Sequence, residues 1–359
     1  YTTHESRIWL RKDKPMTVAP SSVPVPDYYA DIPIVREGIA RKYSNIEALD
    51  KEVGILLDAL EADGVMENSV IFFWSDHGGN LLRQKRAVGD SGLHVPLIIR
   101  YPDGYRAGET ESRMVSLMDL GPTVLSLTGQ KPPKYMDGKA FAGPFEEAPR
   151  DYIYGSADRF DESTDMQRSV LDGRYVYIKN FMPELPLIYR NRYREQIPMN
   201  KHLIELGAEG KLEGDAAYIF MKTKPLEELY DLKNDPYEVH NLADDPAHAE
   251  KLKLLRSQLS QWQASIKDRG FTPESEIIRE FWPGMIQPVT ADVNIQQQNN
   301  TIVLSCATEG ASIAYQLSDA IGTDYWQLYS KPLLLQPQEK ISTRAIRIGY
   351  KASKITVKN

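Results

Sequence analysis

The sequence predicts an α/β domain, followed by a small antiparallel α+β subdomain and a β-sandwich module. Three observations carry this. Helical periodicity and an apolar strand alternate through the first 130 residues. Short strand-like runs joined by turn residues begin near Asp151. Many short β-prone runs fill residues 288–359. Helix-then-strand alternation argues for layered α/β structure with a largely parallel sheet, and closely spaced short strands argue for a sandwich.

Taken in order, Pro15 to Pro33 holds several prolines and few periodic apolar residues, so it reads as a long surface loop. Ser44-Asn45-Ile46-Glu47 has the form of a capping box. Ile46, Leu49, Val53, Leu56 and Leu60 follow at helical spacing, and Gly64 closes that helix. Residues 69–75 hold the apolar run Val70 to Trp74, β-branched or aromatic throughout, hence a buried strand, and 95–101 form the next. Pro102-Asp103-Gly104 is a turn. A helix over 116–128 places Leu117, Leu120, Val124 and Leu127 on one side, with Pro122 breaking or kinking it.

Tyr152 to Tyr154 and Gln167 to Ile178 give strands, with a turn at Asp172-Gly173 inside the second run. The last helix before the sandwich has Leu252, Leu255, Leu259, Trp262 and Ile266 three or four residues apart. Asp245-Pro246 supplies its N-cap and first position, and Gly270 its end. Composition changes again after Pro283-Gly284. The expected domains are therefore 1–150, 151–284 and 285–359.

The chemistry concentrates in one stretch. Val70 to Trp74 runs into Ser75-Asp76-His77-Gly78, so polar ligand groups stand at the carboxyl end of a strand, where open α/β sheets place their sites. Neighbouring side chains on an ideal strand point apart, but a turn at Gly78-Gly79 lets Asp76 and His77 face one ion. Arg83, Lys85 and Arg86 follow within a few residues. A carboxylate beside clustered cations suits a metal and an oxyanion bound together. His94 and Asp90 precede the next strand, and His94 is a candidate for the substrate pocket. Arg159 and Arg168, near the predicted hairpin, could reach an anionic sugar. His202, His240 and His248 lack partners at a telling spacing.

These residues resemble the type I sulfatases of the alkaline-phosphatase superfamily. Ser-Asp-His-Gly after an apolar strand, Lys85, and Gly92-Leu-His-Val-Pro-Leu-Ile-Ile-Arg-Tyr-Pro102 stand in that family's order. Thr3-His4-Glu5-Ser6 resembles its upstream histidine element. Val115 to Gly129 resembles its helix after the core sheet, and Glu228 to Leu242 its carboxyl-terminal signature. The resemblance covers roughly residues 1 to 270 and implies an alkaline-phosphatase-like mixed sheet flanked by helices. It implies sulfate-ester hydrolysis with one Ca2+, Asp76 and His77 being metal ligands. His4, Lys85 and His77 would be catalytic, His77 either as a metal ligand or as a group binding the sulfate oxygen. Arg83 and Arg86, which flank Lys85, and His94 are candidate substrate-binding residues from their place in the sequence.

The family's nucleophile is a formylglycine made within Cys/Ser-x-Pro-Ser-Arg, and that motif does not occur here. The only cysteine, Cys306, lies in an unrelated context. The expectation is therefore a carboxyl-terminal portion of a longer protein whose amino-terminal half is its partner. A non-catalytic sulfatase-like carbohydrate-binding protein, and a phosphatase or phosphonate hydrolase of the same superfamily, stay open. Gly310 to Tyr315, Leu328 to Leu333 and Arg344 to Ser353 resemble the fibronectin-like module at the carboxyl end of chitobiase-type glycosidases, usually an accessory.

Composition bounds the remainder. With 359 residues, 26% charged and 42% hydrophobic, the chain is ordinary for a globular protein. A net charge of −7 argues against nonspecific nucleic-acid binding, and no apolar run approaches the length of a membrane span. Twenty tyrosines and five tryptophans suit sugar-stacking surfaces, although most would be ordinary core and surface aromatics. The resemblance implies a periplasmic or secreted enzyme of sulfated-polysaccharide degradation.

Overall fold

A computed structural model describes residues 15–358 and divides into two compact units, one ending at Asp268 and the other beginning at Arg269. In the first unit, α1 (Pro33–Ala62) starts with proline at its first position, where the missing N–H is not needed. The preceding segment is irregular, but it is more than a surface loop. Val23, Tyr28 and Tyr29 are buried with Val35, Ile39 and Ala40 of α1 and with Leu81 and Leu82 of the site loop. The Tyr29 hydroxyl donates to the Leu82 carbonyl. Three aromatic or branched side chains among the prolines are enough to draw the segment into the core.

Ser44 does not start a helix. It is buried in the middle of α1, where its Oγ donates to the Ala40 carbonyl at 2.9 Å and accepts from the amides of Thr17 and Val18 at 3.0 and 3.1 Å. The hydroxyl that looks like a cap thus satisfies two amides of the irregular segment before α1. Of the expected apolar face beyond it, Ile46 and Leu56 are exposed and Leu49, Val53 and Leu60 are half-buried, and Ile55 beside them is exposed.

Strands β1 (Ile71–Trp74) and β2 (Leu97–Arg100) pair antiparallel, Ile71 opposite Arg100 and Trp74 opposite Leu97. This corrects the expectation of a parallel arrangement here: the connection between them is an irregular loop with only the single-turn helix α2 (Asp90–Leu93), and a chain that doubles back this way returns antiparallel. A 3-10 turn from Leu117 leads into α3 (Leu120–Leu127), capped by a reciprocal Ser116–Asp119 box. Pro122 sits in the first turn of α3, where it breaks nothing. The buried face of α3 is Pro122, Thr123 and Ser126, not the leucine stripe, and Leu117 and Val124 are exposed. Segment 139–145 wraps the polar face: Lys139 N donates to Asp119 Oδ1, Phe141 N to Thr123 Oγ1 and Phe145 N to Ser126 Oγ, at 2.7, 3.0 and 2.9 Å.

An antiparallel sheet follows, β3 (Ile153–Phe160), β4 (Ser163–Leu171) and β5 (Tyr175–Asn180), completed by β6 (Glu227–Asp231) after the short helices α4 (Pro198–Ala208) and α5 (Gly214–Tyr218). Its order is β3-β4-β5-β6. The turn at Asp172-Gly173 forms as expected. Gly173 adopts φ +89, and Asp172 Oδ1 accepts from the amides of Arg174 and Tyr175. Helix α6 (Ala249–Ser265) covers one face with Leu252, Leu255 and Leu259 against Val170, Tyr177 and Leu229. It ends at Ser265, before Gly270. Trp262 stacks on Tyr154 with ring centroids 4.8 Å apart. On the opposite face Val88 of the site loop packs with Ala157, Val176, Ile178 and Tyr230. The sheet is thereby the floor of the candidate site.

The second unit holds α7 (Glu274–Phe281) and two antiparallel sheets. One comprises β7 (Val293–Gln298), β8 (Thr301–Cys306) and β11 (Leu333–Leu334). The other comprises β9 (Ser312–Leu317), β10 (Gln327–Leu328), β12 (Ile341–Ile346) and β13 (Thr356–Lys358). Val293, Ile302 and Leu304 from the first meet Ile313, Tyr315, Ile341 and Ala345 from the second, forming a sandwich core.

Candidate active site

After β1 the backbone folds tightly. Ser75 N donates to the Pro96 carbonyl at 3.3 Å, Ser75 Oγ to the His77 carbonyl at 2.7 Å, and Gly78 N to the Gly92 carbonyl at 2.9 Å. The last approach explains the glycine, since a Cβ on Gly78 would lie 2.2 Å from the Ser91 carbonyl oxygen. The turn presents Asp76, 77% exposed, beside the partly buried His77, whose Nε2 lies 3.5 Å from Asp76 Oδ2. His77 Nδ1 is 2.7 Å from the Gly78 carbonyl. That carbonyl accepts the Nδ1 proton, which leaves the lone pair of the neutral ring on Nε2, on the side of the Asp76 carboxylate. Asp76 offers the oxygen donor that a hard cation prefers, and His77 Nε2 a softer nitrogen donor beside it. Among the described residues no group of three or more His, Cys, Asp or Glu forms a closed metal cage.

The loop that follows carries the cations. Lys85 N donates to the Gly79 carbonyl at 2.7 Å, and Lys85 Nζ lies 5.4 Å from the centroid of the Tyr193 ring. Arg86 lies against the other cationic position on that ring, its Cζ 5.2 Å from the centroid, and its Nη2 bonds the Asp161 carboxylate. Arg83 behaves differently. It is buried, donates through Nη1 to the Tyr237 carbonyl at 2.6 Å and through Nη2 to the Glu238 carbonyl, and sits 5.3 Å from the Tyr28 ring. Its charge is directed onto protein partners below the loop. His94 is 77% exposed on its side chain, with Nδ1 3.2 Å from Asp90 Oδ1, and the hydrogen bond to Asp90 holds its pKa above the usual imidazole value. His4 lies outside the described residues.

Arg168 is also drawn away from solvent. Its guanidinium pairs with both oxygens of Asp268, at 2.8 and 2.9 Å, and with Asp158. His248 and His240 pair locally with Asp245 and Asp235. Three side chains at the loop were not picked out in the sequence. Lys42 of α1 reaches Gln84 Oε1 at 2.9 Å and stands so close to Gly79 that a Cβ there would lie 2.1 Å from Nζ. Tyr193 and the buried Arg194 come from the Arg- and Tyr-rich segment before α4, and Arg194 Nη2 donates to the Lys85 carbonyl at 2.9 Å. The only sequence signal for them is the composition of that segment.

Below the loop lies a buried polar base. Glu238 is 2% exposed. It accepts from the Asp90 amide at 3.0 Å and stands 3.6 Å from Arg83. Burial raises its carboxyl pKa to about 7 against the lowering effect of Arg83. Beside it Glu228 accepts from the Tyr230 hydroxyl, which is bridged to Tyr218. The carboxyl-terminal signature thus holds the site loop from underneath.

A sulfatase family model matches residues 11–130, the span that carries α1, the site loop and α3. An ulvan-active sulfatase of Formosa agariphila is 42% identical over 92% of this chain and 56% of its own length. A human N-sulphoglucosamine sulphohydrolase is 26% identical over 77% of this chain and 57% of its own. The chain therefore spans a little over half the length of these sulfatases. Among solved structures, the phosphonate monoester hydrolase of Agrobacterium radiobacter superposes with a TM-score of 0.50 at 20% identity, covering 71% of this chain and 53% of that one. The sulfatase segment accordingly sits in an alkaline-phosphatase-like α/β fold.

Proposed function

We propose that this chain provides the carboxyl-terminal part of a sulfatase that hydrolyses sulfate esters on a sulfated carbohydrate. The observation that carries this is the site loop: Asp76 and His77 Nε2 on one side of a glycine-locked turn, with Lys85 tethered back to that turn through Gly79. The 42% identity to an ulvan-active sulfatase supports the substrate class. In this proposal Asp76 and His77 hold one Ca2+ with further ligands from elsewhere in the protein. When bound, Ca2+ would neutralise charge on the sulfate oxygens. The Lys85 ammonium stabilises the oxyanion that grows on the leaving oxygen. The His77 ring is fixed by the Gly78 carbonyl, so its free nitrogen stays oriented. His4 would protonate the departing alcohol. The nucleophile, a formylglycine in this proposal, is not encoded by any Cys/Ser-x-Pro-Ser-Arg among the 359 residues. Arg83 takes a supporting role rather than a substrate contact, and His94 remains at the rim as a solvent-facing sugar contact.

The open apolar surfaces of α1, β1, β2 and α3 support the partner as well. Ile46, Ile55, Leu56, Trp74, Ile98, Leu117 and Val124 are exposed, more large apolar groups than isolated surface residues explain. We infer that the amino-terminal half of the same protein covers them. No helix of the described residues is long and apolar enough to cross a membrane. A periplasmic or secreted location fits degradation of a sulfated polysaccharide, and the sandwich would be an accessory carbohydrate contact. The absence of the nucleophile motif favours one alternative, a non-catalytic binding protein. Sulfate release from sulfated polysaccharides by the purified protein, with and without chelator, tests between them. Release that stops on chelation and in K85A supports hydrolysis. Glycan binding without release supports the alternative.

A further inference from the structure

Arg86 is buried but incompletely bonded. Its side chain is 7% exposed, and Nε and Nη1 are buried with no hydrogen-bond partner among the described residues. A buried donor left unmatched costs on the order of 1–3 kcal/mol. The backbone is also held in the left-handed region, at φ +74, which a side chain other than glycine seldom adopts. Such a geometry is kept where the surroundings enforce it. A guanidinium offers a planar fork that matches an oxyanion at two points, and among the described residues only Nη2 is engaged, by Asp161.

The surroundings are those of an anion site. Lys85 Nζ and Arg86 Cζ lie 5.4 and 5.2 Å from the centroid of the same Tyr193 ring, so the two charges are no more than about 11 Å apart. Arg194 stands beside them, buried. Burial pushes its guanidinium pKa down, and the nearby Arg86 charge acts in the same direction. The carboxylate that faces Arg86 belongs to Asp161, at the exposed turn between β3 and β4, itself in a left-handed conformation and also bonded by Asn191 Nδ2 at 3.2 Å. A turn is the easiest part of a hairpin to displace.

We propose that Arg86, walled by Tyr193 and backed by Arg194, is a second oxyanion subsite beside Lys85, and that it binds an anionic substituent on the sugar next to the sulfated one. This rests on Lys85 holding the sulfate. The Asp161 carboxylate stands where the substituent's oxygen bonds, and the substituent displaces it. The shared chemistry is a planar or tetrahedral oxyanion, a sugar carboxylate or a second sulfate.

Three probes separate these sources: a monosulfated disaccharide with a neighbouring uronate, the same disaccharide with that uronate as its methyl ester, and a uronate-free disaccharide with a second sulfate on the neighbouring sugar. Hydrolysis by the wild-type protein should favour one charged probe over the ester by at least about tenfold in kcat/KM, the size of a well-made charged hydrogen-bond pair. R86Q should reduce that ratio to within about threefold, through KM, and D161N should lower KM for the charged probe. Preference for the uronate assigns a carboxylate, and preference for the disulfated probe a sulfate. R86K, which keeps the charge and loses the fork, replaces R86Q if that variant does not fold. No charged preference in wild type, or the same ratio in the variant, overturns the subsite. Should no probe be hydrolysed, the sulfatase proposal fails by itself. Calorimetric binding of the same probes then decides the subsite: a charged preference lost in R86Q upholds it, and equal binding overturns it.

Discussion

The clamp between Arg83 and Glu238 makes a prediction that can be worked through. Arg83 donates to the carbonyls of Tyr237 and Glu238 and neutralises a carboxylate that is 2% exposed. R83M removes these donors and leaves Glu238 buried without its cation. Breaking a buried pair in this way costs about 3–5 kcal/mol. E238Q differs, because Gln Oε1 can still accept from the Asp90 amide and no charge is left behind. The pH dependence separates the two. Burial raises the Glu238 pKa to about 7 from 4.5, and at roughly 1.4 kcal/mol per pH unit this amounts to about 3 kcal/mol. The sign is that of a raised carboxyl. The stabilisation of the protonated form is complete below 4.5 and is lost as pH rises through about 7. Wild type should therefore lose up to about 3 kcal/mol relative to E238Q between about pH 5 and pH 8, measured by urea unfolding. A difference that stays flat over that window would refute the assignment of a buried, high-pKa carboxyl. An R83M cost below about 1 kcal/mol would refute the clamp.

Other expectations follow from single contacts. K85A should lower kcat for sulfate release by about 10²- to 10³-fold, as removal of an oxyanion donor does, with less change in KM. D76N should abolish Ca2+-dependent thermal stabilisation, measured as the rise in Tm on adding Ca2+ to chelated protein. W262A removes the half-buried ring stacked on Tyr154 at 4.8 Å and should cost about 1.5–3 kcal/mol in chemical denaturation, less than deletion of a fully buried tryptophan; an effect under about 0.5 kcal/mol would mean the stack is incidental.

How much the sequence disclosed depended on where each residue's partner lies. The leucines of α6 were legible because the sheet they cover belongs to the same unit, and their spacing matched the buried face. The stripe on α3 was misleading for the opposite reason. Its inward face is Pro122, Thr123 and Ser126, chosen by the backbone donors of 141–145, and its apolar side is exposed. Ser44 shows the same logic at one residue, since a hydroxyl that suits a cap was taken by the amides of Thr17 and Val18. Periodicity reports that a face is apolar. It does not report which body covers it.

The site divides along the same line. Asp76, His77 and Gly78 are consecutive, so their turn could be inferred from local chemistry, and Gly78 meets the Ser91 carbonyl that requires it. Lys42, Tyr193 and Arg194 arrive from α1 and from the segment before α4, and no spacing rule brings them to Lys85. Arg83 and Arg86 are the most instructive pair. They are three residues apart, alike in chemistry, and both held at positive φ, 65 and 74. One is spent on two carbonyls and a buried carboxylate, while the other keeps two donors without an acceptor among the described residues. Only the tertiary partners, Glu238 from the loop after β6 and Asp161 from a hairpin turn, distinguish a structural cation from one available to a substrate. For a loop of this composition, the count of satisfied donors on each guanidinium is therefore a better guide to function than its place in the motif.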